Sequence, residues 1–238
     1  MKFNVKALFA MAALVCLIPA ASFAAVGSYA QDFEGMNPAD NAALANDGWL
    51  IFANVFAPDM SYLYGYGVFT APNNSGNFCQ VDINQGGAEQ GMNQLAVFSD
   101  YANVDHAAGN IIEALVFQER PIEAGDEGTY VFTYQGKRGN LEGSSTALAY
   151  IKTLDPNAGY ATTNYITLDM TTAPTDWASY ELSIEVDSSL VGQLLQIGFQ
   201  NMATNYEGSA VFYDNILFGL DSVATEPSTM GGIKSLYR

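Results

Sequence analysis

The chain has 238 residues, of which 49% are hydrophobic, 13% aromatic and only 14% charged, with 14 Tyr and 14 Phe. So many aromatics at so low a charge density exclude a disordered chain. Eight Lys and Arg against 25 Asp and Glu give a net charge of −17, a field that repels phosphate backbones and anionic lipid and argues against nucleic-acid and membrane-surface partners.

In chain order, Lys2 and Lys6 precede an apolar run from Ala7 to Ala21, and Ser22-Phe23-Ala24 follows as a small-x-small site. This is the layout of a secretory signal peptide spanning residues 1–24, cleaved after Ala24. It predicts a secreted protein, extracellular, surface-associated or periplasmic. Cys16 lies within the run, but the preceding Val15 is not the small residue that lipid attachment wants. No later apolar run approaches 18 residues, so membrane insertion is not expected. Removing Lys2 and Lys6 leaves 6 basic against 25 acidic side chains, a net of −19. Cys79 is then the one remaining cysteine, expected to be a buried thiol. With no disulfide possible within the chain, stability must come from the core or from a bound metal.

Alternating patterns bounded by Gly, Pro, Asn and Asp recur from 28 to 218. They predict strands over Ser28–Gly35, Trp49–Ala57, Tyr62–Thr70, Phe78–Asn84, Leu95–Tyr101 and Ile111–Glu119. Six more follow at Thr129–Gln135, Ala147–Thr153, Tyr165–Met170, Ser179–Val186, Leu194–Gln200 and Ala210–Phe218. A dozen short strands at this spacing point to an all-β, antiparallel two-sheet β-sandwich (a jelly roll) with at most one or two short helices. The helical candidate is Asn37–Asn46, opened by Asn37-Pro38. One sandwich domain is expected over 25–221. Residues 222–238, which end with Lys234 and Arg238, read as a flexible tail or as a short sorting or attachment signal.

A sugar is held by an aromatic ring against its apolar face and by amides or charges on its hydroxyls. Tyr62, Tyr64 and Tyr66 alternate along one strand, so they are predicted to share a face, opposite Leu63, Gly65 and Gly67. Such a stripe is a sugar platform or ordinary sheet material. Lys137-Arg138 supplies two adjacent cations that could donate to sugar hydroxyls or pair with Glu142. Asn201, Asn205 and Tyr206 offer further polar donors and acceptors, or simply a turn. Catalysis has little support: no nucleophile-elbow, metalloprotease, nucleotide-binding or paired-glutamate motif occurs, and His106 is the one histidine.

Three stretches together resemble the β-sandwich carbohydrate-binding modules found beside glycoside hydrolases. They are Asp32-Phe33-Glu34-Gly35 with Asp47-Gly48-Trp49, then Thr175-Asp176-Trp177-Ala178-Ser179-Tyr180, then Phe212-Tyr213-Asp214-Asn215-Ile216. The resemblance implies that the first and last strands meet and share a structural calcium ion (Ca2+). Glu34 and Asp214 stand at the ligand positions, with Asp32 as a third. It also implies that Trp49 and Trp177 pack in the core. Calcium takes six to eight oxygens, so carboxylates, carbonyls and water must converge. The function implied is non-catalytic binding of a polysaccharide or glycan. A structural or adhesive surface protein, and a lyase or hydrolase on the same fold, are the alternatives.

Overall fold

The computed structural model describes residues 26–69, 79–204 and 206–221. The predicted signal peptide, the predicted tail, Asn205 and residues 70–78, which include the ends of two predicted strands, lie outside the described residues. Twelve strands form among those described: β1 (Tyr29–Gln31), β2 (Leu50–Phe56), β3 (Tyr62–Phe69), β4 (Cys79–Ile83), β5 (Asn93–Val97) and β6 (Ile111–Pro121). Then come β7 (Gly128–Arg138), β8 (Thr146–Asp155), β9 (Ala161–Asp169), β10 (Ala178–Val186), β11 (Leu194–Thr204) and β12 (Val211–Leu220). The helix predicted over 37–46 shortens to α1 (Ala43–Asn46), with Ala43 and Leu44 buried. Ahead of it Asp40 accepts from the backbone N–H of Ala42, as Asn37 does from Ala39, so the segment begins in side-chain-bonded turns.

The strands form two antiparallel sheets. The first runs β10-β7-β12-β5-β4, with β1 added to β12; the second runs β3-β2-β6-β11-β8-β9. The period of two explains which side chains face inward. On β7, Tyr130, Phe132 and Tyr134 are buried, and Leu182 and Ile184 of β10 stand opposite Phe132 and Tyr130 on the same face. On β2, Ile51, Ala53 and Val55 point in while Leu50, Phe52, Asn54 and Phe56 point out.

Between the sheets the core is dominated by rings. Phe199 stacks on Tyr213 with centroids 3.6 Å apart, and Trp49 packs against Tyr29, Phe33 and Phe199. Trp49 is fully buried, and truncating a side chain of this size in such a place costs about 3–5 kcal/mol. Cys79 is a buried free thiol whose pKa burial raises well above the ordinary value. Trp177, expected in the core, is half-buried instead. Its Nε1 donates to the Gln85 carbonyl, and its ring lies under Lys137. The reason is its position just before β10, in a loop that packs outside the first sheet rather than between the layers. No helix among the described residues is long and apolar enough to cross a membrane.

Candidate functional site

The second sheet carries a groove on its outward face, with a cavity volume of about 770 Å³. Ligand clefts fall in the range of roughly 300–1,000 Å³. Its floor comes from β6, whose outward residues Leu115 and Phe117 are buried like its inward ones, each only 6% exposed. They join Tyr150 of β8, with Leu50, Phe52 and Leu148 packed alongside, in an apolar cluster separate from the main core. Two glycines make this possible. A Cβ on Gly198 of β11 would stand 2.4 Å from the Val116 carbonyl oxygen and 2.6 Å from Phe117 Cβ, so the neighbouring strand approaches bare backbone. A Cβ on Gly65 would meet the Phe52 ring at 2.9 Å; the ring lies flat over β3 because nothing projects there.

One wall is aromatic. Tyr165 of β9 is 48% exposed, and Tyr160, in the turn before it, is 61% exposed. Tyr160 has φ +62°, directly after Gly159 at φ +67°. A left-handed conformation at a bulky residue costs about 1–3 kcal/mol. It is held by the Tyr160 N–H, which donates to the Asp155 carbonyl at 2.8 Å. The result is a ring displayed at the groove's rim.

The polar lining is arranged in pairs. Asn54 Nδ2 donates to Glu113 Oε1 at 2.8 Å, Gln196 Nε2 to Glu119 Oε2 at 2.6 Å, and Tyr165 OH to Gln200 Oε1 at 2.9 Å. Burial raises the Glu113 carboxyl above its usual range, with the Asn54 bond working against it. Burial also lowers the Lys152 ammonium and lifts the Tyr165 phenol to about 12. Lys152 lies against the floor, its Nζ 5.2 Å from the Tyr150 ring centroid.

A second cluster lies at the first sheet. On β12 the register against β7 slips between Asp214 and Leu217, Asn215 takes φ +48°, and the strand exchanges β5 for β1 as its other neighbour. Asp32 and Glu34 follow β1 directly, flanking Phe33 at φ +59°. The first and last strands therefore meet, as the resemblance implies. Asp214 is fully buried; its Oδ1 accepts from the Asn215 N–H at 2.6 Å, and its Oδ2 has no donor among the described residues. Burial, helped by the charges of Asp32 and Glu34 and opposed by the Asn215 N–H, pushes its pKa up to about 7. Glu34 Oε1 accepts from the N–H groups of Met92 and Asn93, both at 2.7 Å. Among the described residues no three His, Cys, Asp or Glu side chains close on one point. The three acids approach without forming a finished coordination shell.

The sugar-platform residues expected from sequence go elsewhere. The tyrosine stripe is divided: a bulge at Leu63 puts Tyr62 opposite the outward-facing Phe56, while Tyr64 and Tyr66 stand opposite the inward-facing Val55 and Ala53. Tyr62 packs edge-on against Phe56. Tyr64 OH donates to Asp105 Oδ2 at 2.5 Å and Tyr66 OH to Asp100 Oδ2 at 2.6 Å. Tyr62 therefore shares the outward side with Gly65 and Gly67, while Tyr64 and Tyr66 stand on the other. Lys137 and Arg138 end β7 in the first sheet; the Lys137 Nζ is 5.3 Å from the Trp177 ring and 5.5 Å from that of Phe212, and Arg138 is exposed. Asn201 is fully buried, its amide donating to the Val97 and Ser209 carbonyls, because the inward face of β11 places it between the layers. Tyr206 is exposed, with its ring 5.3 Å from that of the buried His106. None of these seven lines the groove.

The groove residues were missed because they come from five strands. One local signal existed: Ile111-Ile-Glu-Ala-Leu-Val-Phe-Gln-Glu119 is apolar at both parities, which marks a strand covered on both faces.

No protein-family model matches this chain, and no curated protein does. Among solved structures it is similar to the enzymatically active domain of bacteriophage CBA120 tailspike protein 4, with 11% identity and a TM-score of 0.45 over 77% of this chain. The chain spans only 21% of that structure's length. It is also similar to the C-terminal family 22 carbohydrate binding module of Clostridium thermocellum Xyn10B, with 15% identity and a TM-score of 0.39, over 83% of this chain and 95% of the other. A family 16 carbohydrate binding module is similar with 13% identity and a TM-score of 0.40, over 61% of this chain and 88% of the other.

Proposed function

We propose that this is a secreted β-sandwich that binds a polysaccharide in the outward groove of its second sheet without performing chemistry on it. The observation that carries the reading is the groove itself: an open trough with an apolar floor, two exposed tyrosines on one wall and amides along its length. Rings supply the stacking surface and Asn54, Gln196 and Gln200 the hydroxyl partners that a sugar needs. Hydrolysis is disfavoured by spacing. Glu113 and Glu119 stand six residues apart on one strand, about 20 Å of extended backbone, whereas a glycosidase places its two carboxyls roughly 5–10 Å apart.

A structural calcium ion belongs to the same proposal. The chemistry of the donors suits a hard cation, since Asp32, Glu34 and Asp214 are all carboxylates and the buried Asp214 Oδ2 has no donor among the described residues. The three would have to draw together to bind one, because they do not close on one point. These three residues would hold the ion, with carbonyls and water completing its shell. The ion would neutralise acids that otherwise repel one another at the junction of the first and last strands.

Affinity electrophoresis against a panel of polysaccharides tests the binding reading. Retardation by at least one glycan is expected, and it should vanish in a Tyr160→Ala/Tyr165→Ala variant that retains the wild-type melting midpoint. Retardation that survives this double substitution would place binding elsewhere. Migration unaffected by every glycan would favour an adhesive or structural role.

A further inference from the structure

Acceptors in the groove outnumber the donors that serve them. The Gln196 side chain turns Nε2 toward the Glu119 carboxylate, donating to its Oε2. That orientation leaves Gln196 Oε1 buried with no hydrogen-bond partner among the described residues, although the residue lines the groove and is only 4% exposed. Glu113 and Glu119 are each served by a single amide through one oxygen; Glu113 Oε2 and Glu119 Oε1 have no donor among the described residues. No Lys or Arg nitrogen makes a direct ion pair with either carboxylate among the described residues; Lys152, the groove's cation, lies over the Tyr150 ring and acts on both carboxylates only through its charge. Two carboxylates against one ammonium leave the trough with a net negative charge.

A buried acceptor without a donor costs about 1–3 kcal/mol, and a carboxylate held against an apolar floor costs more. Both costs fall when a ligand brings N–H donors and positive charge. Sugar hydroxyls donate one proton each, whereas an ammonium donates three and neutralises. A uronic acid would set carboxylate against carboxylate in a site of low dielectric.

Resting on the glycan-binding reading above, we infer that the groove selects a polysaccharide carrying free amino groups, an N-deacetylated amino-sugar chain, with Glu113 and Glu119 as its ammonium acceptors. Gln196 Oε1 lies beside Glu119 to take a further N–H or O–H. The rings of Tyr160 and Tyr165 stack on the pyranose faces.

Calorimetric titration with four tetrasaccharides tests this: glucosamine, N-acetylglucosamine, β-linked glucose and a uronic acid. The glucosamine tetramer should bind at least roughly tenfold more tightly than the N-acetylated one, the worth of one charge-assisted bond. Glu113→Gln and Glu119→Gln should each lower that affinity by roughly tenfold, and by more than they lower affinity for the N-acetylated tetramer. Glu185→Gln, on the exposed face of the opposite sheet, controls for attraction between a cation and a chain of net charge −17. Equal affinity for amino and N-acetylated tetramers would overturn the amine selectivity and leave the groove reading standing. So would a loss in Glu185→Gln as large as in Glu113→Gln. Failure to bind any of the four would count against both.

Discussion

The phenol of Tyr66 donates to Asp100 Oδ2 at 2.6 Å, joining the edge strand β3 to the loop that follows β5 in the other sheet. Asn103 Nδ2 donates to the same phenol at 3.1 Å and to that of Tyr64 at 3.3 Å, and the Tyr64 phenol donates to Asp105 Oδ2. Two tyrosines on an edge strand thus close one open side of the sandwich.

Tyr66→Phe should therefore destabilise the protein rather than weaken glycan binding. Asp100 is nearly buried, and losing a donor to such a carboxylate costs about 1–3 kcal/mol. Denaturant unfolding of Tyr66→Phe against wild type measures this, with glycan retardation unchanged. Loss of retardation at wild-type stability would restore the stripe as a sugar platform.

The groove floor depends on the absence of a side chain at 198. In Gly198→Ala the new methyl would collide with the Val116 carbonyl oxygen at 2.4 Å, a backbone atom that cannot yield alone. Overpacking of this kind costs about 1–3 kcal/mol, a fall of several degrees in the melting midpoint for a domain of this size. The variant should also bind glycan more weakly, because β11 and β6 must part beneath Phe117. An unchanged midpoint would show that the sheet absorbs the methyl.

Chelator should lower the melting midpoint, and Asp214→Ala should abolish that effect. The pH dependence follows from the direction of the Asp214 shift. Its folded pKa, near 7, exceeds the unfolded value of about 3.9, so the folded state binds the proton more tightly. In chelator, stability is then lost as pH rises from about 4 through 7, and Asp214→Asn should remove this slope. Added calcium should restore stability at pH 7 in the wild type alone. A melting curve indifferent to chelator would count directly against the ion.

His106 works in the opposite direction. It is fully buried, its Nδ1 has no hydrogen-bond partner among the described residues, and its Nε2 lies 3.3 Å from Ser99 Oγ. Burial lowers its pKa, opposed by the charges of Asp100 and Asp105. The folded state therefore resists protonation, and the stability this residue contributes is lost as pH falls below its unfolded value of about 6.5. It is the chain's one histidine, so its ring signals in NMR can be followed without ambiguity. They should titrate below pH 6.5; an ordinary or raised midpoint would show that the ring is hydrated or charge-paired.

Strand identity and fold class were legible from the residues alone. The alternation of Tyr130, Phe132 and Tyr134 and the turn clusters between strands act locally, so each of the twelve strands could be placed before any pairing was known. The ordered motifs around Glu34 and Asp214 likewise pointed to an encounter between the chain's two ends, because a sandwich whose last strand pairs with its first brings them together. The groove was different. A bulge of one residue at Leu63 decided which way Tyr62, Tyr64 and Tyr66 face, and register is a property of two strands, not of either one. Likewise Phe52, Glu113, Gln196, Lys152 and Tyr165 come from strands far apart in the chain and share a trough only after β2, β6, β11, β8 and β9 are laid side by side. Side-chain periodicity is written in the chain, but which parities face a common cleft depends on pairing order and sheet curvature, which are set by packing over the whole molecule.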